Sequence, residues 1–262
     1  LNVGFELGLF GKVDIQADYF TEYRSNILMD RAQVPASMGL QSPIRANVGE
    51  ASSKGFEMSL DYKDNITNDF FVAVRANFSF ATSKYEVFEE LDYVSAGLPW
   101  RSRIGLNLSQ PFGYIAERLF IDEADIANSP IQTFGDYMAG DIKYKDINND
   151  GIIDINDEVP IGYPTTPEII YGFGTSASYR NFDFSFFFQG SARSSFFVDA
   201  YNTSPFIDTS GSAIGNNALL SAWANDHWSE NDRNLYASWP RLSDQLHLLT
   251  TMYYFYRYCR LA

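Results

Sequence analysis

Residues 12–23 read KVDIQADYFTEY, and this stretch decides the fold. Val13, Ile15, Ala17, Tyr19, Thr21 and Tyr23 fall on one side of an extended chain; Asp14, Gln16, Asp18, Phe20 and Glu22 fall on the other. Successive side chains of a strand point to opposite faces, so the period of two predicts a β-strand with one apolar face. Its register is firmly set. Turned over, the strand would press Asp14, Asp18 and Glu22 against an apolar phase. At a membrane midplane a charge costs on the order of 2–4 kcal/mol for Arg or Lys and somewhat less for Asp or Glu.

The same pattern recurs outward from this stretch. Residues 2–10 are strand-like, and Gly11-Lys12 makes a tight reversal. Phe56, Met58, Leu60 and Tyr62 alternate with Glu57, Ser59 and Asp61. Val72, Val74, Ala76, Phe78 and Phe80 alternate with Arg75, Asn77 and Ser79. Ile104, Leu106 and Leu108 alternate with Gly105, Asn107 and Ser109, and Phe182, Phe184, Phe186 and Phe188 with Asp183, Ser185 and Gln189. Several of these runs exceed the five or six residues usual in soluble sheets and reach the roughly nine to eleven that cross a bilayer at a tilt. Short turns at 10–12, 63–68 and 180–181 alternate with long polar excursions at 30–46, 86–99 and 122–167. That asymmetry is the pattern of an outer-membrane barrel.

Composition narrows the classes. Aromatic residues make up 16% of the 262, mostly Phe and Tyr, which favour strands. No apolar run is long enough for a transmembrane helix, and a mean hydropathy of -0.21 suits strands whose polar half dilutes the apolar half. A net charge of -14 argues against nucleic acid as a partner. The single cysteine, Cys259, supplies neither a disulfide framework nor a thiolate metal site. Leu1 to Phe10 lack the basic and apolar regions of a signal peptide.

A soluble β-sandwich would impose the same strand registers, with the apolar face packed on a second sheet. Tyrosines at strand ends (Tyr19, Tyr23, Tyr62, Tyr85, Tyr179) favour the barrel, where an aromatic girdle belongs. Trp100, Trp223, Trp228 and Trp239 suit the same belt better than stacking on sugar rings. No enzyme is expected: His227 and His247 are far apart, Ser191, Ser210 and Ser212 lack a nucleophile elbow, and no carboxylate pair stands out for glycosidase chemistry.

One loop has metal-ligand spacing. Asp146, Asn148, Asp150, the carbonyl of Ile152, Asp154 and Asp157 occupy positions one, three, five, seven, nine and twelve of a calcium-loop template, with Gly151 at six. Position twelve is Asp rather than the bidentate Glu, and no amphipathic helices flank the loop, so this is not an EF-hand. No cofactor is required, and two readings of the loop stand side by side: a Ca2+ ion that stiffens it, or an Asx-rich turn without metal.

Read in order, GDIKYKDINNDG (140–151), PIGYPTTPEIIYGFG (160–174) and FDFSFFFQG (182–190) resemble the C-terminal barrel region of the SusC/RagA family. PFGYIAERLF (111–120), IANSP (126–130) and WPRLS (239–243) support the resemblance, which extends to about Ser243. Its members are TonB-linked outer-membrane transporters of Bacteroidetes. The resemblance implies part of a plugged, antiparallel transmembrane β-barrel of roughly 22 strands. It also implies import of oligosaccharides or peptides, a SusD-like surface lipoprotein as partner, and energy drawn from TonB through a region outside these residues. Asp14, Gln16, Asp18, Glu57, Asp61, Arg75 and Asn77 would face the lumen, contacting the plug more than the substrate. Residues 1–244 form the partial barrel in this reading. Residues 245–262 depart from the family pattern, and a frameshift or truncation in the source gene is the expectation for that tail. The competing expectation is a secreted, soluble β-sandwich that binds carbohydrate and carries a structural calcium.

Overall fold

The computed structural model of the chain describes residues 1–197, except 33, 35, 40 and 41, and residues 221–237. The WPRLS motif, the tail from 245, Trp239, His247, Cys259, Ser210 and Ser212 lie outside the described residues. The described chain forms two compact units.

The first unit is built on one antiparallel sheet. Its six long strands are β1 (Asn2–Leu9), β2 (Val13–Asp30), β3 (Arg45–Thr67), β4 (Phe70–Val87), β11 (Ile169–Tyr179) and β12 (Phe182–Ala192), hydrogen-bonded in that order. Consecutive strands pair, except that the chain leaves after β4 and returns at β11. Residues directly opposite in an antiparallel ladder share a face. The register aligns Leu7, Ile15, Leu60, Ala76, Phe173 and Phe188 in one row across all six strands. The neighbouring row is Leu9, Val13, Tyr62, Val74, Thr175 and Phe186. Together these rows form an apolar band.

Much of that band is open. Phe184 is 65% exposed, Phe188 58% and Phe5 58%, and no other sheet among the described residues exceeds two strands. An uncovered apolar face of this extent is foreign to soluble monomers. The sandwich reading requires a facing sheet, and the described residues supply none. On β4 the band runs from Phe70 to Phe80, about 33 Å along the strand at the usual rise. Tilted by about 45°, that spans roughly 23 Å, close to the apolar height of outer-membrane barrels.

The three tight turns lie at one end of the sheet. Phe10 and Gly11 both have positive φ, and the Lys12 amide donates to the Leu9 carbonyl, as a hairpin with the right-handed strand twist demands. At the same end the Arg180 amide donates to the Asp69 carbonyl, and Lys12 pairs with Asp64 at 2.7 Å. Strand β3 continues to Thr67, so the reversal expected at 63–68 contracts to Asn68-Asp69. The long connections, 31–44 and 88–168, leave from the other end.

Two sequence expectations fail locally. Residues 104–109 are not a strand. Gly105 has φ +83°, the Leu106 amide donates to Arg103, and Asn107 Oδ1 accepts from the Ser109 amide at 3.0 Å. These turns use the backbone groups a ladder would need, and only an isolated bridge from Tyr85 to Ile104 remains. Tyr85 itself lies opposite Ala51 on the polar face, where it packs edge-on against Phe88; Tyr19, Tyr62 and Tyr179 share the apolar face.

The second unit centres on residues 111–162 with 93–101 and 221–237. Its short strands are β5 (Phe112–Gly113), β6 (Ala116–Leu119), β7 (Ile131–Gln132), β8 (Ile142–Tyr144), β9 (Ile152–Ile153) and β10 (Val159–Pro160), paired two by two. Tyr114, Leu119, Ile142, Tyr144, Ile153 and Trp228 are buried in one cluster, with Phe134 packed against it. The Tyr114 ring lies 4.6 Å from that of Phe134 and 5.6 Å from that of Tyr144, and burial pushes the Tyr144 phenol up from its ordinary pKa.

Candidate functional site

Asp14, Gln16, Asp18, Glu57, Asp61, Arg75 and Asn77 stand on one face of the six-stranded sheet, opposite the apolar band. The ladder sets Asp14 beside Asp61 and Asp61 beside Arg75. It likewise sets Gln16 beside Ser59, Ser59 beside Asn77, and Asp18 beside Glu57. Like charges directly opposite destabilise a ladder. Arg75 offsets one such pair, its Nε donating to Asp61 at 2.8 Å. Both groups are well exposed, so the bridge contributes at most about 1 kcal/mol. Glu57 accepts from Ser79 Oγ at 3.2 Å.

This face is the hollow one. A concavity of about 650 Å³ is lined by Asp14, Asp61, Lys63 and Arg75, with Ser176 and Ser185 from β11 and β12. Phe71 and Phe187 line it as well. Neither was named from the sequence, although alternation puts Phe71 in phase with Arg75 and Asn77, and Phe187 in phase with Asp183 and Ser185. The run Phe186-Phe187-Phe188 carried the missing signal: one of three consecutive phenylalanines must face the polar side. Glycines make room there, since a Cβ on Gly172 or Gly174 would sit 2.8 Å from the Phe187 ring.

Where β11 begins, one buried carboxylate ties the wall together. Glu168 is 6% exposed and accepts from Thr82 Oγ1 at 2.5 Å, Arg193 Nε at 2.7 Å and Asn107 Nδ2 at 3.4 Å. The Arg193 guanidinium lies over the rings of Phe80 and Tyr163. A buried carboxylate requires such pairing, and this one links β4, β11, β12 and the 102–110 segment.

The calcium-spaced loop folds around its own amides. Asp146 accepts from the amides of Asn149 at 2.6 Å and Gly151 at 2.8 Å; Asn148 Oδ1 accepts from Asp150, and Asp150 Oδ1 from Ile152. Asp154 caps the short 3-10 turn Ile155–Asp157 by accepting from the Asn156 amide at 2.7 Å. Asp157 is fully buried and accepts from the amides of Ile147, Asn148 and Asp154. Gly151, at φ +86°, supplies the left-handed residue this turn needs. Among the described residues no three His, Cys, Asp or Glu side chains converge as metal ligands do. The spacing of a calcium loop is therefore present without a gathered cage.

Nearby, Arg118 grips Asp125 through two nitrogens at 2.5 and 2.7 Å, with Lys143 at 3.6 Å. The Arg118 hydrogen bonds, helped by the Ile121 amide, hold the Asp125 carboxyl well below the usual carboxylate range despite partial burial. Trp100 and Trp228 join the second unit rather than a membrane belt: the Trp100 indole donates to the Asn156 carbonyl at 2.8 Å, and Trp228 is buried. His227 Nδ1 lies 3.1 Å from the Ala224 carbonyl.

A six-stranded, strictly antiparallel sheet with an open apolar band on one face and a polar hollow on the other is the wall of a transmembrane β-barrel. It is an open segment of such a wall, and comparison with known proteins says of which kind. No family profile matches the chain. It is 28% identical over 206 residues to TonB-dependent receptor P26 of Formosa agariphila, covering 72% of this chain and 20% of that one. It is 25% identical over 227 residues to TonB-dependent receptor SusC of Bacteroides thetaiotaomicron, covering 83% and 21%. The solved structure of the RagAB peptide transporter superposes on 94% of this chain and 26% of its own, with a TM-score of 0.59 at 19% identity, a likeness of fold. Over most of its length the chain is similar in sequence to TonB-dependent receptors, SusC among them, and similar in fold to part of the RagAB transporter. It spans about a fifth of the length of the curated relatives it matches.

Proposed function

We propose that this chain forms part of the wall of a TonB-dependent outer-membrane importer for oligosaccharides or peptides, working with a SusD-like surface lipoprotein. One observation carries the reading: the open apolar band lies on the face opposite the polar hollow. Lipid covers the first, and the second borders the lumen, so Asp14, Gln16, Asp18, Glu57, Asp61, Arg75 and Asn77 line the passage with Phe71 and Phe187. Such a wall does no covalent chemistry; it supplies polar groups to the plug and to passing solute. TonB engages a part of the receptor outside this chain.

The complete receptor should fractionate with the outer membrane and migrate as a heat-modifiable barrel. Cells lacking it should lose uptake of one oligosaccharide or peptide class, as should cells lacking TonB. Recovery of the receptor in the soluble fraction, or uptake unaffected by either deletion, would sink the reading.

We also propose that the loop Asp146–Asp157 binds Ca2+ through Asp146, Asn148, Asp150, the Ile152 carbonyl, Asp154 and Asp157. The support is ligand spacing together with the left-handed Gly151 at the position where the template turns. The ion would stiffen the loop.

A further inference from the structure

We propose that Trp228 is a clasp that fastens the segment 221–237 onto the 111–162 module, so that two separate chain excursions behave as one body. The two are far apart in sequence, with both β11 and β12 between them.

The notch that receives the indole is built by the module. Gly140 has φ +86°, and its amide donates to the Phe120 carbonyl at 2.9 Å. The Asp141 amide donates to Met138, and Asp141 Oδ2 accepts from the Met138 amide at 2.9 Å, which closes the turn. A Cβ at position 140 would lie 2.3 Å from Trp228 Cε3, so only glycine leaves room for the ring. Both backbone conformation and space therefore demand glycine here.

The segment is shaped to deliver the ring. Ser229 and Asp232 exchange backbone hydrogen bonds at 3.1 Å, and the Ala237 amide donates to Asn234. Trp228 is 6% exposed and Ala237 5%, and both join the module's core. A backbone bond crosses between the excursions: the Leu119 amide donates to the Leu235 carbonyl at 2.9 Å. The neighbouring Phe120 amide donates within the module, to Asp141, and the Lys145 amide to Ile115. The Trp228 Nε1 is buried with no hydrogen-bond partner among the described residues. Shape and apolar burial seat the ring, and a small change of volume releases it.

Those amides make the inference testable in the complete receptor by site-resolved hydrogen exchange. Trp228→Ala should speed exchange at the Leu119 amide by about tenfold or more, while Phe120 and Lys145 stay within roughly twofold of the parent. Trp228→Phe, which loses ring volume and leaves the module's turn at Gly140 intact, should give a smaller but equally selective loss and keeps the test informative if Trp228→Ala does not fold. An unchanged Leu119 amide would show that the segment is held without the ring. Equal acceleration at all three amides would show that Trp228 is an ordinary part of one cooperative core. Either result overturns the clasp.

Discussion

A charge moved by one position along β4 should separate lipid from lumen. Ala76 lies in the central apolar row between Leu60 and Phe173; Asn77, the next residue, lies on the polar face between Ser59 and Gly172. Ala76 is six residues from Phe70 at the turn end of the band. At the usual strand rise and a 45° tilt, that places it about 14 Å along the membrane normal, near the middle of a band roughly 25 Å tall. Ala76→Arg puts a guanidinium at the midplane and should cost about 2–4 kcal/mol. By the usual conversion that is about 30- to 900-fold in the folding equilibrium. Asn77→Arg should cost less than about 1 kcal/mol, because the new group joins an exposed polar face that already holds Arg75. The assay is a denaturant titration of the complete receptor refolded into lipid vesicles, run on both variants and the parent. Equal costs, or a larger cost at Asn77, would refute the assignment of faces and with it the barrel reading.

Three further outcomes follow from the second unit. Asp157→Ala should destabilise the loop by about 3 kcal/mol, since it strands three part-buried amides at the low end of roughly 1–3 kcal/mol each; exchange at the Ile147 and Asp154 amides reads this directly. The carboxyl of Asp125 is depressed in the fold, so its contribution to stability is fully present above the ordinary carboxylate pKa and is lost as the pH falls through the folded value. The Ile121 amide, which donates to Asp125 at 3.1 Å, should lose protection only in strong acid, and Asp125→Asn should abolish that pH dependence. Calorimetric titration of chelator-treated receptor with Ca2+ should show one site with Kd on the order of 10⁻⁴–10⁻³ M, the range of extracellular modules, and Asp146→Ala should remove it. Absence of heat in the parent would return the loop to a metal-free Asx turn.

Much of the wall was legible in one dimension, because a strand's side-chain period of two is a local property. The alternation in residues 12–23 assigned both faces of β2 before any partner strand was known, and likewise in residues 56–62 and 72–80. Local pattern misled at 104–109, where Gly105 and Asn107 favour turns over a ladder. The same alternation said nothing about which strands are neighbours.

Tertiary structure alone decided the rest. Pairing of β4 with β11 across more than eighty residues places Asn77 beside Gly172 and Arg75 beside Gly174, and thereby makes the hollow that Phe187 enters. Glu168 gains Thr82, Asn107 and Arg193 as partners from three distant stretches, which no spacing in the sequence announces. Trp228 finds Gly140 in the same way. The physical reason is common to all of these: face and turn preference are set by the backbone of a few adjacent residues, whereas long-range neighbours are chosen by the packing of the whole sheet and module.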